Sequence, residues 1–219
     1  AATTLAWVDA ERKVTDSYLS RIPFRDRLRK QIASYNDYVK QGAPWLWKDG
    51  RFYFTRNDGL RNQSVLYRMD RPGGAETMVL DPNTLSADGT VALTGLSMSP
   101  DGKLIAYTIS RSGSDWTEIY VIDAETLQPT GDHIEWAKFT GADWRKDGFY
   151  YSAYDRPEAG KEFSNANENH RIYFHRTGTP QSADELVFED KEHPLHFHSA
   201  GLSSDGRYLF CLLYTSPSP

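Results

Sequence analysis

The chain has 219 residues, with 25 Lys and Arg against 30 Asp and Glu and a formal net charge of −5. That balance, with an isoelectric point near 5.7, argues against a general nucleic-acid or anionic-membrane surface, and no apolar run approaches the ~20 residues of a membrane span. The length permits one large or two small domains, and the single cysteine, Cys211, excludes an internal disulfide framework. No signal peptide is visible, but the chain opens on Ala1 rather than Met, so a leader is compatible with it. The expectation is a soluble protein, with cytoplasmic and periplasmic or secreted locations both open.

Residues 4–20 read as helix, because Leu5, Val8, Val14, Tyr18 and Leu19 recur at spacings near three and four among charged residues. Pro23 suits the first turn of a second helix, in which Phe24, Leu28, Ile32 and Tyr35 form one apolar stripe. Arg25, Arg27, Arg29 and Lys30 read as its solvated face. From Trp45 onward the apolar period switches to two. The chain therefore divides into a helical segment at 1–40, a β region at 41–210 and a closing stretch at 211–219. That last stretch, CLLYTSPSP, breaks the β pattern, and Pro217 and Pro219 cannot serve a central strand. It reads as a non-native tail.

The β region repeats a unit. In residues 95–123 the turn Ser99-Pro100-Asp101-Gly102 leads into a strand, Leu104 to Ile109, that is apolar on both parities and so is expected to be buried on both faces. A polar loop and a second strand, Trp116 to Ile122, follow. Asp-Gly pairs begin at 49, 101, 147 and 205, each ahead of an aromatic or aliphatic strand. Their spacing, roughly 50 residues, is that of four-stranded propeller blades. The fold expected is mainly β: a partial β-propeller of about three to four blades behind a short helical segment. Residues 155–170 read as a long polar loop between two strands of one blade. Asn62-Gln63-Ser64 fits the glycosylation pattern, a triplet common by chance.

Several strings carry a resemblance: NDGLRNQSVLY at 57–67, LDPNTLSADGTVAL at 80–93, SGSDW at 112–116 and AWVDAE at 6–11. They resemble the prolyl oligopeptidase (prolyl endopeptidase) family of serine peptidases over about residues 5–210. The resemblance implies a propeller that caps an α/β-hydrolase domain and restricts access of short proline-containing peptides to its catalytic triad. It implies no metal and no organic cofactor. In the α/β-hydrolase order the nucleophile lies on a G-x-S-x-G-type elbow ahead of its Asp and His, and no such elbow occurs in these residues. The triad is thus expected in a later segment, the chain being an N-terminal fragment inactive on its own. The alternative is a stand-alone propeller that binds peptides or proteins; a downstream Gly-x-Ser elbow would separate the two.

No catalytic residue and no metal ligand is assigned. His193, His196 and His198 cluster, with 196 and 198 on one face if the segment is a strand. Without a nearby Cys or an HExxH pattern they read as ordinary histidines. Asp101, Asp147 and Asp205 read as turn-formers. By the resemblance, Phe139 falls on a tunnel phenylalanine that packs on substrate, and Phe197 falls where the family often has methionine. Blade core is the competing reading for both rings.

Overall fold

The computed structural model describes residues 2–164 and 166–214. Two helices come first, α1 at Ala2–Leu19 and α2 at Arg25–Asn36, and neither buries a side chain. The apolar stripes read from the sequence are present but uncovered: Leu5, Val14, Ile32 and Tyr35 are all exposed. The helices, the short strand β1 (Lys40–Gln41) and residues 56–61 form one compact unit, and the rest of the chain forms a second. No helix among the described residues is long and apolar enough to cross a membrane.

The second unit is a succession of antiparallel sheets. The first contains β2 (Trp45–Leu46), β3 (Phe52–Asn57), β4 (Val65–Met69) and β5 (Thr77–Leu80). The next contains β6 (Val91–Met98), β7 (Leu104–Arg111), β8 (Trp116–Asp123) and β9 (Pro129–Lys138). The third contains β10 (Asp143–Arg145), β11 (Gly148–Ala153), β12 (Arg171–Arg176) and β13 (Glu185–Glu189), linked to the second by the single bridge Ala137↔Ala153. A hairpin of β14 (Phe197–Leu202) and β15 (Leu209–Tyr214) begins a fourth. These are consecutive propeller blades, each reached from the last without a linker.

The hydrophobic core lies between blades rather than within any one of them. Tyr53, Leu66 and Val79 of the first sheet meet Met98, Ile105 and Ile122 of the second. Ala106, Ile119, Val121 and Ile134 meet Trp144, Phe149 and Tyr151 of the third. Tyr150, Ile172 and Phe174 turn the other way, toward Ala200, Leu202 and Leu209. Strand β7 therefore gives Ile105 to one interface and Ala106 to the next, as its double-sided apolar pattern requires. Polar side chains reinforce the same contacts. The Gln63 carboxamide donates to Val91 O (2.7 Å) and accepts from Leu93 N (2.8 Å), and Trp144 Nε1 donates to Ser97 Oγ (3.1 Å).

Three of the four Asp-Gly pairs that recur at blade spacing close the same turn. Gly50, Gly102 and Gly206 have φ of 80°, 74° and 67°, and each donates its N–H to the carbonyl three residues earlier (Trp47, Ser99 and Ser203). Asp101 and Asp205 each accept from the turn serine, at 2.7 and 2.6 Å, so these carboxylates are turn-formers. The third pair differs. Arg145 pairs with Gly148, so the glycine opens β11 instead of completing the turn. A Cβ there would lie 2.0 Å from His175 O, and close approach of β12 is what demands glycine.

Leu209–Tyr214 is one continuous strand, paired from Leu202↔Leu209 to Phe197↔Tyr214. Residues 211–214, which the sequence pattern sets apart, are thus its last four residues, and residues 215–219 lie outside the described residues. The two faces of β15 leave Phe210, Leu212, Leu213 and Tyr214 exposed. Exposed apolar strands with free edges template association. The 219-residue chain is expected to self-associate, with sedimentation velocity showing species larger than a monomer as concentration rises. A single monomeric boundary at high concentration would refute this.

Candidate functional site

Phe139 and Phe197 both sit eight residues before the Asp of the next Asp-Gly pair, Asp147 and Asp205. The structure brings the two rings together, with centroids 5.0 Å apart. Phe139 follows the last residue of β9 and Phe197 opens β14, so each ring sits at the start of the stretch that begins the next sheet. Phe139 is 48% exposed, which removes it from the blade core. Tyr214 stacks on Phe197, 6.3 Å away with the planes 4° apart. A groove of about 350 Å³ runs from Phe139 along Thr140, Gly141, Ala142 and Asp143 to Ser199 and Ala200.

The backbone that presents Phe139 is held in an uncommon conformation. Trp136 has φ 60° and Phe139 φ 53°, the left-handed region that costs an ordinary side chain about 1–2 kcal/mol. Three hydrogen bonds keep the segment there. Thr117 Oγ1 donates to Ala137 O (3.1 Å), Thr140 Oγ1 accepts from Ser152 N (2.9 Å), and His170 Nε2 donates to Lys138 O (3.0 Å).

His170 links the two phenylalanines. It is buried, and its Nδ1 accepts from His198 N at 3.0 Å, the residue after Phe197. One imidazole thus bonds the backbone beside each ring, in the neutral tautomer with hydrogen on Nε2. Burial pushes its pKa down to about 4, so it stays neutral in this role. Between that value and the ordinary 6.5 the unfolded chain binds the proton and the folded one does not, so stability rises with pH across the interval. The urea midpoint should fall as pH drops from 7 to 5. His170→Asn should flatten that slope, and an unchanged slope in the variant would discount His170 as its source.

The three clustered histidines do not act together. Strand β14 begins at Phe197, so His196 precedes it and His198 lies within it. His198 is buried; its Nδ1 donates to His170 O (3.0 Å) and its Nε2 has no hydrogen-bond partner among the described residues. His193 and His196 stand apart from the aromatic pair, stacked on each other beside Asp190. Sequence reading did not single out His170, which follows a polar loop and belongs to no periodic pattern.

Near Phe139, Lys138 lies with its ammonium 5.3 Å from that ring and 4.7 Å from Trp116, donating to Asn167 Oδ1 at 3.1 Å. Neither phenylalanine can serve as acid, base or nucleophile. What the arrangement offers is an aromatic wall over a groove, suited to apolar contact.

Comparison with known proteins accounts for the blades. The family model described as "Prolyl oligopeptidase, N-terminal beta-propeller domain" matches residues 1–217. The chain belongs to the prolyl oligopeptidase family. A prolyl endopeptidase of Elizabethkingia meningoseptica is 44% identical over 211 residues, which cover 95% of this chain and 30% of that protein. Prolyl oligopeptidase A of Galerina marginata is 37% identical over 235 residues, 95% of this chain and 32% of its own. Among solved structures, prolyl oligopeptidase B of Galerina marginata bound to a 35mer hydrolysis and macrocyclization substrate superposes with a TM-score of 0.86 at 32% identity, covering 98% of this chain and 33% of that one. The chain therefore spans about 30% of the length of its prolyl oligopeptidase relatives.

Proposed function

We propose that this chain is the N-terminal part of a prolyl-specific serine endopeptidase, in which the propeller gates the access of short proline-containing peptides to an α/β-hydrolase catalytic domain. The observation that carries the reading is the 44% identity to a prolyl endopeptidase across 95% of the chain. The half-exposed Phe139 ring against Phe197 supports a substrate-contacting role for the pair, with His170 as the group that positions both. The uncovered apolar faces of α1 and α2 support a further domain packing on the helices. The propeller is proposed to need no cofactor and to exclude folded proteins by the width of its entrance.

The nucleophile elbow is absent from the 219 residues. The purified chain is therefore expected not to hydrolyse a Gly-Pro reporter. Hydrolysis that a serine-directed phosphonate blocks would overturn this. The longer reading frame should encode a Gly-x-Ser elbow followed by Asp and His, and its product should cut short peptides after proline. A reading frame without that elbow would favour a stand-alone binding propeller.

A further inference from the structure

The connection from β13 to β14 folds three metal-binding side chains onto one point. Asp190, His193 and His196 are spaced i, i+3, i+6, and one donor atom from each lies within 4.8 Å of the other two. Asp190 Oδ2 is 3.0 Å from His193 Nδ1 and 3.4 Å from His196 Nδ1. Donors around a tetrahedral zinc with bonds of about 2.0–2.1 Å lie roughly 3.3 Å apart, so the carboxylate edges already have the required length. Both Nδ1 atoms face Asp190 Oδ2; the imidazoles stack at 4.5 Å with planes 9° apart, so one ring, the exposed His193, turns to bring both in-plane lone pairs onto one ion.

Two further features point to a ligand. His196 Nδ1 is buried and has no hydrogen-bond partner among the described residues, although it faces the carboxylate. Among the described residues, the ion pairs of Asp190 are with the two histidines rather than with Lys or Arg. The neighbouring Lys191 pairs with Glu189 instead, at 2.8 Å. Asp190 Oδ1 accepts from the N–H groups of Glu192 (3.1 Å) and His193 (3.2 Å), which fixes the loop and leaves Oδ2 to the histidines. The site is reachable, because the His193 side chain is 56% exposed.

We propose that Asp190, His193 and His196 bind one divalent transition-metal ion of the zinc type. Two imidazoles and a carboxylate suit zinc, nickel or copper, whereas calcium and magnesium prefer oxygen-only shells. Three protein donors leave a coordination position for water. On binding, the His193 proton now directed at Asp190 moves to Nε2 and the ion takes its place between nitrogen and carboxylate. Protons compete for the same nitrogens, so affinity falls with falling pH. The ion clamps the loop that ends at Phe197, and so restricts one of the two rings of the aromatic wall. Ion binding itself does not depend on the peptidase reading.

The test is titration of the dilute 219-residue chain with Zn²⁺ alone, in competition with a chromophoric chelator. Cys211→Ser serves as the background, because the exposed thiol is the other zinc-seeking group. The expected result is one equivalent bound, weaker by at least about tenfold in His193→Gln, in His196→Gln and in Asp190→Asn, since even outer partners of a metal site are worth 10–100-fold. Asp190→Asn keeps the Oδ1 acceptor that shapes the loop, and circular dichroism confirms the fold of each variant. X-ray absorption at the zinc edge should show two imidazole nitrogens at about 2.0–2.1 Å. Zinc affinity unchanged in the three variants, no saturable binding, or binding lost only with Cys211 would each overturn the proposal.

Discussion

Replacing His175 by alanine is expected to lower folding stability by about 3–5 kcal/mol, the range for removing one partner from a buried ion pair. In a domain of this size that corresponds to a fall in Tm of roughly 6–20 °C. His175 is fully buried on β12, with Nδ1 2.7 Å from Asp184 Oδ1 and Nε2 3.0 Å from Asp132 Oδ1. Both nitrogens face carboxylates, so both carry hydrogen and the ring is an imidazolium. Asp132 comes from β9 of the preceding blade and also accepts from Thr130 Oγ1 (2.6 Å) and Gly178 N. Asp184 Oδ2 accepts from Tyr151 OH at 2.8 Å. Removing the imidazole strands two carboxylates in an apolar interface, where unpaired charge is most costly.

The pH dependence follows from two opposed effects on each group. Burial pushes the His175 pKa down, but the two carboxylates outweigh it and hold the value above the ordinary 6.5. Its contribution is therefore full below 6.5 and is lost as pH rises through the folded value. Burial pushes Asp132 up, but hydrogen bonds from Thr130, Gly178 and His175 outweigh that and leave it below its ordinary 3.8. Its contribution is present above 3.8 and is lost as pH falls through the folded value. Urea unfolding followed by tryptophan fluorescence should show the penalty of His175→Ala largest near pH 6 and smaller in alkaline solution. A penalty under about 1 kcal/mol at pH 6 would mean the imidazolium does not hold the blades together.

What the sequence discloses and what it hides divide along the range of the interactions. The Asp-Gly turns and the double-sided burial of β7 depend on neighbours a few residues apart, and both are visible in the string. Gly148 looks like its three counterparts at 50, 102 and 206, but its reason for being glycine is the His175 carbonyl on another strand. The buried ion network joins residues 43 positions apart, and neither His175 nor Asp132 belongs to a repeating pattern. The spacing of Asp190, His193 and His196 is on the page in the sequence. Reading the segment as a strand pairs His196 with His198, and only the loop geometry ahead of β14 pairs it with His193. Residues 211–214 continue a strand yet break the sequence pattern for a related reason. Among the described residues strand β15 pairs only with β14, so its apolar side chains lack the neighbours that would make them look like a blade.

If the full-length protein is the peptidase proposed above, Phe139→Ala is expected to raise its KM about five- to tenfold and leave kcat nearly unchanged. Full burial of such a side chain is worth about 1.5–3 kcal/mol. Phe139 already spends half its surface against the protein, at 48% exposed, so substrate gains roughly the remaining half, near 1 kcal/mol. A ring that packs on substrate away from the reacting atoms contributes equally to ground state and transition state, and such uniform binding appears in KM. The competing role, blade core, predicts a stability loss of about 3–5 kcal/mol with wild-type KM for the enzyme that remains folded. The exposure of the ring argues against that, and the expected stability cost is about 1 kcal/mol or less, mostly the contact with Phe197. Because the two rings touch, Phe139→Ala and Phe197→Ala should not add, and the second truncation should cost less KM than it does alone. Thermal melting and steady-state kinetics on the same preparations separate the roles: a fall in Tm of several degrees with unchanged KM would withdraw Phe139 from the substrate wall.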